Sequence, residues 1–126
     1  MTIRKQHFAM PDWTIKRTDN ARGVEFRVLT QRKDLIVAEL RFEPGATFDA
    51  HAAPWDCDVF CMSGRGFVLV GNETAELSAD ETVFWPRTTL HQLWTEDQPM
   101  QTLMIEHLHQ VDDPARAWQA LKNQNA

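Results

Sequence analysis

The residues best suited to chemistry lie in the middle of the chain, where His51, Cys57 and His91 carry nitrogen and sulfur donors. Imidazole and thiolate bind zinc, iron and copper, so these three side chains are candidate metal ligands. Asp49, two residues before His51, would leave a strand on the same face. It is the alternative third ligand, which would complete the two-histidine, one-carboxylate set of non-haem iron enzymes. A buried, inert thiol is the competing interpretation of Cys57.

Four further side chains are candidates for binding a small molecule beside this site. Trp55 and Trp94 lie near the candidate ligands and could line an apolar pocket, although aromatic residues more often fill a core. Glu106 lies on an otherwise apolar strand face, where a carboxyl group could act as an acid or a base. Cys61 shares a strand face with Cys57 and is expected to pack as a small apolar group.

The elements that must position these residues are short β-strands. Apolar residues recur with a period of two, and turn residues separate the segments. The predicted strands cover 23–31, 34–45, 46–51, 57–62, 66–71, 74–77, 82–86, 90–95 and 100–109. Many short strands at regular spacing predict an all-β barrel or sandwich. One short C-terminal α-helix is predicted over about 113–123, where Asp113 can cap the start and Pro114 fits the first turn.

Length and composition exclude several classes of function. The 126 residues predict a single domain, 1–126, that can bury a core without disulfides. A net charge of −5 argues against nucleic-acid partners and anionic membranes. The sequence has no apolar run of the roughly 20 residues that span a membrane and no secretory signal, so we expect a cytoplasmic protein. On one strand Cys57 and Cys61 would be about 13 Å apart, beyond the reach of a disulfide.

Two segments resemble the two sequence motifs of the cupin superfamily, which consists of small double-stranded β-helix, or jelly-roll, barrels. The matching residues of the two motifs are Gly45, His51, Gly64, Pro86 and His91. The resemblance covers about residues 35–109. It implies a cupin barrel over about 23–109, a divalent transition metal bound inside it, and pairing of two chains as a homodimer.

Other motif positions depart from the family pattern. The resemblance implies a metal site of two histidines and a carboxylate from the first motif and one histidine from the second. Here Ala53 stands at the second histidine and Cys57 at the carboxylate, so His51 and His91 are the ligands that remain. In the second motif, the two glycine positions and the asparagine position hold Asp80, Thr88 and Thr95.

Three functions stay open on these residues. The preferred one is a metal-dependent enzyme acting on a small molecule as a dioxygenase, isomerase or lyase, with iron, zinc, copper, manganese or nickel held by His51, His91 and either Cys57 or Asp49. The second is a metal-free module that binds a small molecule without catalysis. The third is an enzyme without a cofactor, in which His51 or His91 acts as general base.

Overall fold

The computed structural model describes residues 2–16 and 19–110 as an all-β barrel with one short 3₁₀ helix. The elements are β1 (Thr14–Ile15), β2 (Ala21–Gln31), β3 (Leu35–His51), β4 (Asp56–Val70), β5 (Glu73–Ser78), β6 (Thr82–Trp85), β7 (His91–Trp94), β8 (Met100–His107) and the 3₁₀ helix Leu108–Gln110. The all-β prediction is confirmed, whereas the helix predicted over about 113–123 lies outside the described residues. Within the described ranges no helix is long and apolar enough to cross a membrane.

Two long strands, β3 and β4, hold the barrel together. The first half of each pairs with β8, and the second half of each pairs with β7. Because β7 and β8 both bridge β3 and β4, these four strands form a closed ring. The outer strands β2, β5 and β6 extend the ring, and β1 pairs with β2.

The sequence predicted four shorter strands where the structure has two long ones. The segments 34–45 and 46–51 form the continuous strand β3, and the segments 57–62 and 66–71 form β4. The expected breaks are bends, at which Gly45 and Gly64 adopt φ angles of +74° and +77°. Glycine reaches this left-handed region without steric cost, so each strand can change direction where its partner changes from β8 to β7.

Two positions that the cupin motif fills with glycine keep a glycine-like backbone here. Asp80 (φ +72°) and Thr88 (φ +60°) are the non-glycine residues with positive φ in the part of the chain that the structure describes. The left-handed region is costly for a β-branched residue such as threonine. The amide of Thr88 donates to the carbonyl of Ala53 at 2.7 Å, which fixes the turn that leads into His91.

The apolar core fills the barrel interior. Alternate side chains of β3, β4 and β8 point inward, and Val59 and Leu93 have no exposed surface at all. A second, smaller cluster consists of Ile36, Ala38, Ala53, Trp55 and Leu108. Cys57 and Cys61 are buried and free, in agreement with the predicted lack of a disulfide between them.

Candidate functional site

Strand register brings the chemically capable side chains to one region of the barrel interior. Directly opposed residues of neighbouring strands share a face of the sheet. Cys57 on β4 lies between Glu106 on β8 and Trp85 on β6. His51 on β3 lies opposite His91 on β7. The Trp85 ring stacks on the His91 ring, with the two centroids 3.8 Å apart and the planes within 9° of parallel.

The two motif histidines face each other through their Nε2 atoms, which are 3.1 Å apart. His51 Nδ1 lies 2.8 Å from the Asp49 carbonyl oxygen, so this nitrogen carries the proton and donates it, and Nε2 is left as an acceptor. His91 therefore donates from Nε2 to His51. The Nδ1 atom of His91 is buried and makes no well-formed hydrogen bond among the described residues. The hydrogen bond between the two Nε2 atoms therefore forms when both rings are neutral.

Burial keeps both imidazoles neutral. Loss of solvation lowers the pKa of His51, a shift that the hydrogen bond to the Asp49 backbone opposes and the charge of Lys16 reinforces. Burial and then the neighbouring His51 lower the pKa of His91 to about 3, while the Thr89 backbone partly opposes this shift. At neutral pH the pair can orient a bound molecule or accept a proton, and it adds no positive charge to the interior.

Lys16 is a member of this site that the sequence analysis missed. Its amide donates to the Val24 carbonyl at 2.9 Å and so continues the pairing of β1 with β2. The ammonium nitrogen lies 4.7 Å from the centroid of Phe48 and 5.4 Å from that of Phe26. The Phe48 ring in turn contacts His51, with centroids 4.2 Å apart. No motif or periodicity marks Lys16, because it precedes the matched segments and faces the barrel only through tertiary contacts.

Glu106 faces the same interior and responds to Lys16. Burial raises the pKa of its carboxyl group to about 7, while a hydrogen bond donated by Trp55 and the charge of Lys16 act in the opposite direction. Burial likewise lowers the pKa of Lys16, and Glu106 opposes that shift. A carboxyl group that titrates near neutral pH is suited to general acid–base work. We name Lys16, His51, His91 and Glu106 the barrel site.

The predicted thiol ligand has the properties of a core residue. Cys57 is 3 % exposed, and burial, followed by the negative charges of Glu106 and Asp58, raises the pKa of its thiol. Its Sγ donates a weak hydrogen bond to the Asp58 carbonyl at 3.7 Å. Burial also raises the pKa of Cys61, whose Sγ lies 3.5 Å from the Ser63 carbonyl. Both thiols are therefore protonated at neutral pH in the metal-free protein.

The other predicted site residues divide between the interior and the surface. The Asp49 carboxylate accepts a hydrogen bond from Thr47 Oγ1 at 2.6 Å, so Asp49 supports His51 through its backbone carbonyl. Trp55 is 1 % exposed and belongs to the environment of Glu106. Trp94 alternates with the buried Leu93 on β7 and lies outside the barrel site. Its ring stacks on that of Phe67, with the two ring centroids 5.7 Å apart.

The described residues do not supply the ligand set that a resident metal needs. Two Nε2 atoms 3.1 Å apart could both reach one ion at a typical bond length of about 2.1 Å. No group of three His, Cys, Asp or Glu side chains within residues 2–16 and 19–110 could hold a metal ion. A catalytic metal site ordinarily has three protein ligands. The donors therefore fit a bound metal only in part.

A surface groove of about 880 Å³ lies apart from the barrel site. Its lining includes Ile15, Val24, Arg41, Pro44, Gly64 and Met100, and no residue of the barrel site. Arg41 in this groove pairs with Glu25, with Nη2 and Oε1 3.1 Å apart.

A family model described as the cupin domain matches residues 38–106, more than half of the chain. The chain belongs to the cupin family. The matched range contains both motif histidines and ends at Glu106, so it includes every member of the barrel site except Lys16. No curated protein is similar enough in sequence to count as a relative.

Solved structures with this fold are numerous but distant in sequence. The polyketide cyclase RemF from Streptomyces resistomycificus is 18% identical, with 98% of each chain covered and a TM-score of 0.74. A cupin-2 domain protein from Rhodospirillum rubrum is also 18% identical, with 85% of this chain and 77% of that one covered and a TM-score of 0.71. A conserved Streptococcus pyogenes protein of unknown function is 25% identical, with 67% and 73% covered and a TM-score of 0.62. These similarities support the cupin barrel.

Proposed function

We propose that this cupin binds a small, largely apolar carbonyl compound in its barrel and transfers protons on it without a resident metal. The observation that carries the proposal is Glu106, an interior carboxyl group with a pKa of about 7 that accepts a hydrogen bond from Trp55 and interacts electrostatically with Lys16. Such a group exists in both protonation states at neutral pH, so it can both remove and return a proton.

The surroundings of Glu106 support binding of an organic molecule. Phe48 and Trp85 supply apolar walls, and Lys16 and His51 supply polar groups at one place in those walls. Apolar walls with a few convergent polar groups are typical of small-molecule sites. Lys16, His51 and Glu106 keep partial solvent exposure while His91 is buried, so a molecule would approach from the side of those three groups.

The proposed chemistry is proton exchange at the carbon next to a carbonyl group. The Glu106 carboxylate takes the proton, the carbonyl oxygen receives the developing charge beside Lys16, and the protonated carboxyl returns a proton to the same carbon. A buried carboxylate is a stronger base than an exposed one, because water no longer stabilises its charge. The structural neighbour RemF is a polyketide cyclase, which is consistent with a small-molecule substrate in this fold.

The test is hydrogen–deuterium exchange on a probe ketone. Phenylacetone is incubated with the full chain in D₂O near neutral pH, and loss of its proton signals next to the carbonyl is followed by NMR. We expect exchange faster than in buffer, and a loss of about a hundredfold or more in Glu106→Gln, the range over which one general base typically contributes. Glu73→Gln is the matched control, since Glu73 is exposed on β5 and should keep full activity. Equal rates in wild type and Glu106→Gln would overturn the proposal.

A metal-dependent oxidoreductase, isomerase or lyase is the second candidate, and the approach of the two Nε2 atoms is the observation that favours it. Elemental analysis of untagged protein, purified without chelators, measures the metal content per chain. About one equivalent of iron, zinc, copper, manganese or nickel that is lost in His91→Ala would favour this candidate over the metal-free site. A content near zero, unchanged after incubation with each metal, would eliminate it.

A further inference from the structure

The barrel site contains the amine of Lys16. In the proposed proton transfer this amine has only an electrostatic role. Lys16 Nζ lies over the Phe48 and Phe26 rings, and the nearby Glu106 interacts with it electrostatically. By contrast, Lys5 and Lys33 are exposed. The Lys16 amide donates to the Val24 carbonyl, which fixes the backbone from which the side chain extends to the two rings.

An amine in this environment is prepared to act as a nucleophile. Burial disfavours the ammonium form and lowers the pKa of Lys16, so a larger share of the amine is neutral than at the surface. A neutral lysine amine attacks carbonyl carbons, whereas a protonated one has no lone pair to donate. Glu106 interacts electrostatically with the same amine and can deliver the proton that the reaction consumes.

We propose that Lys16 forms a Schiff base with a small aldehyde or ketone whose apolar body packs against the Phe48 and Phe26 rings. This inference rests on the proposed function, because it assumes that the barrel site admits a carbonyl compound. It also deepens that function, since a protonated imine withdraws electrons from the adjacent carbon and would assist proton removal by Glu106.

The atoms of the step balance without an oxidant, a reductant or a cofactor. The Nζ lone pair forms the new C–N bond while the carbonyl π electrons move to oxygen. Nitrogen then releases a proton, and the oxygen, having gained two protons, leaves as water with the electrons of the broken C–O bond. The product is a protonated imine on Lys16, and the net reaction consumes one proton, which the protonated Glu106 carboxyl can supply.

The experiment traps the imine on the full-length protein. The chain is treated with benzaldehyde and sodium cyanoborohydride at pH 7, which reduces the imine to a stable benzylamine, and the adduct on each lysine is measured by mass spectrometry after digestion. We expect the initial labelling rate at Lys16 to exceed that at the exposed Lys33, because burial lowers the pKa of Lys16 and leaves a larger share of its amine neutral. Labelling of Lys16 no faster than of Lys33 would overturn the inference.

Two further measurements separate this inference from the proposed function. Lys16→Arg keeps the positive charge but cannot form an imine, so it should lose the fast adduct, whereas Lys33→Arg should keep it. Benzyl alcohol occupies space as benzaldehyde does but forms no imine, and it should protect Lys16 from labelling. If phenylacetone exchange depends on Glu106 but Lys16 is labelled slowly, only the Schiff-base inference is overturned. If Lys16 is labelled rapidly but phenylacetone exchange does not depend on Glu106, only the proposed function is overturned.

Discussion

Replacing Glu106 with glutamine tests the electrostatics of the barrel site through stability. Burial raises the carboxyl pKa from its ordinary value of 4.5 to about 7 in the folded protein. Between these two values the unfolded chain is ionised while the folded chain still holds its proton. Unfolding therefore releases a proton, and a rise in pH favours the unfolded state. Glutamine has nearly the same shape and does not titrate.

The expected magnitude follows from the difference between the two pKa values. A rise from 4.5 to about 7 corresponds to roughly 3 kcal/mol of unfolding free energy, at about 1.4 kcal/mol per pH unit. Wild type should lose this stability relative to Glu106→Gln as the pH rises from about 4.5 to about 7. Above that window both states are ionised and the difference should be constant. For a domain of this size, 3 kcal/mol corresponds to about 10 °C in melting temperature.

The assay is urea unfolding, followed by tryptophan fluorescence at several pH values from 4.5 to 8. The useful quantity is the stability of Glu106→Gln minus that of wild type, because the other titrating groups are common to both proteins and largely cancel. Glu73→Gln, at an exposed position, should show no such pH dependence. A difference between Glu106→Gln and wild type that stays flat from pH 4.5 to 8 would refute the argument that burial raises the pKa of this carboxyl group.

Further predictions concern the bends, the histidine pair and assembly. A Cβ at Gly64 would lie 2.0 Å from the Pro99 carbonyl oxygen, whereas one at Gly45 meets nothing within 4 Å, so Gly64→Ala should lower the unfolding free energy by at least about 2 kcal/mol more than Gly45→Ala in urea melts. Thr88→Gly should raise stability by about 1 kcal/mol, since it removes the left-handed strain; an unchanged midpoint would contradict this. The pKa of His91 is about 3 in the folded protein, so the imidazole is protonated in the unfolded chain before it is protonated in the folded one as the pH falls below 6.5. Wild type should therefore lose stability in acid faster than His91→Gln. Light scattering should give twice the 14.6 kDa chain mass for the predicted homodimer, and the mass of one chain would refute it.

The sequence by itself was sufficient to predict the fold and to select the two histidines of the barrel site. Alternating apolar residues and the spacing of the two motifs led to a cupin barrel, which the family match and the structural neighbours confirm. The motif spacing also placed His51 and His91 on strands that could meet, and their Nε2 atoms lie 3.1 Å apart. These features are local or depend on a repeated pattern, so a single sequence contains them. The cytoplasmic location and the homodimer stay predictions.

Tertiary structure decided how the strands run. The segments around Gly45 and Gly64 were predicted as turns between separate strands, yet each glycine bends one continuous strand. The same local chemistry serves a hairpin or a bend, and the choice depends on which partner strands are available on either side. That information comes from β7 and β8, which lie far along the chain.

Tertiary structure also decided which side chains can do chemistry. Desolvation depends on what surrounds a group, and this is why Cys57 is a protonated core thiol while Glu106 titrates near neutral pH. Asp49 was a plausible ligand from its spacing, but Thr47 holds its carboxylate. Lys16 has no sequence signal at all, since only the pairing of β1 with β2 brings its amine to the barrel interior. The sequence determined which groups the barrel could contain, whereas their protonation states and neighbours depend on contacts between residues far apart in the chain.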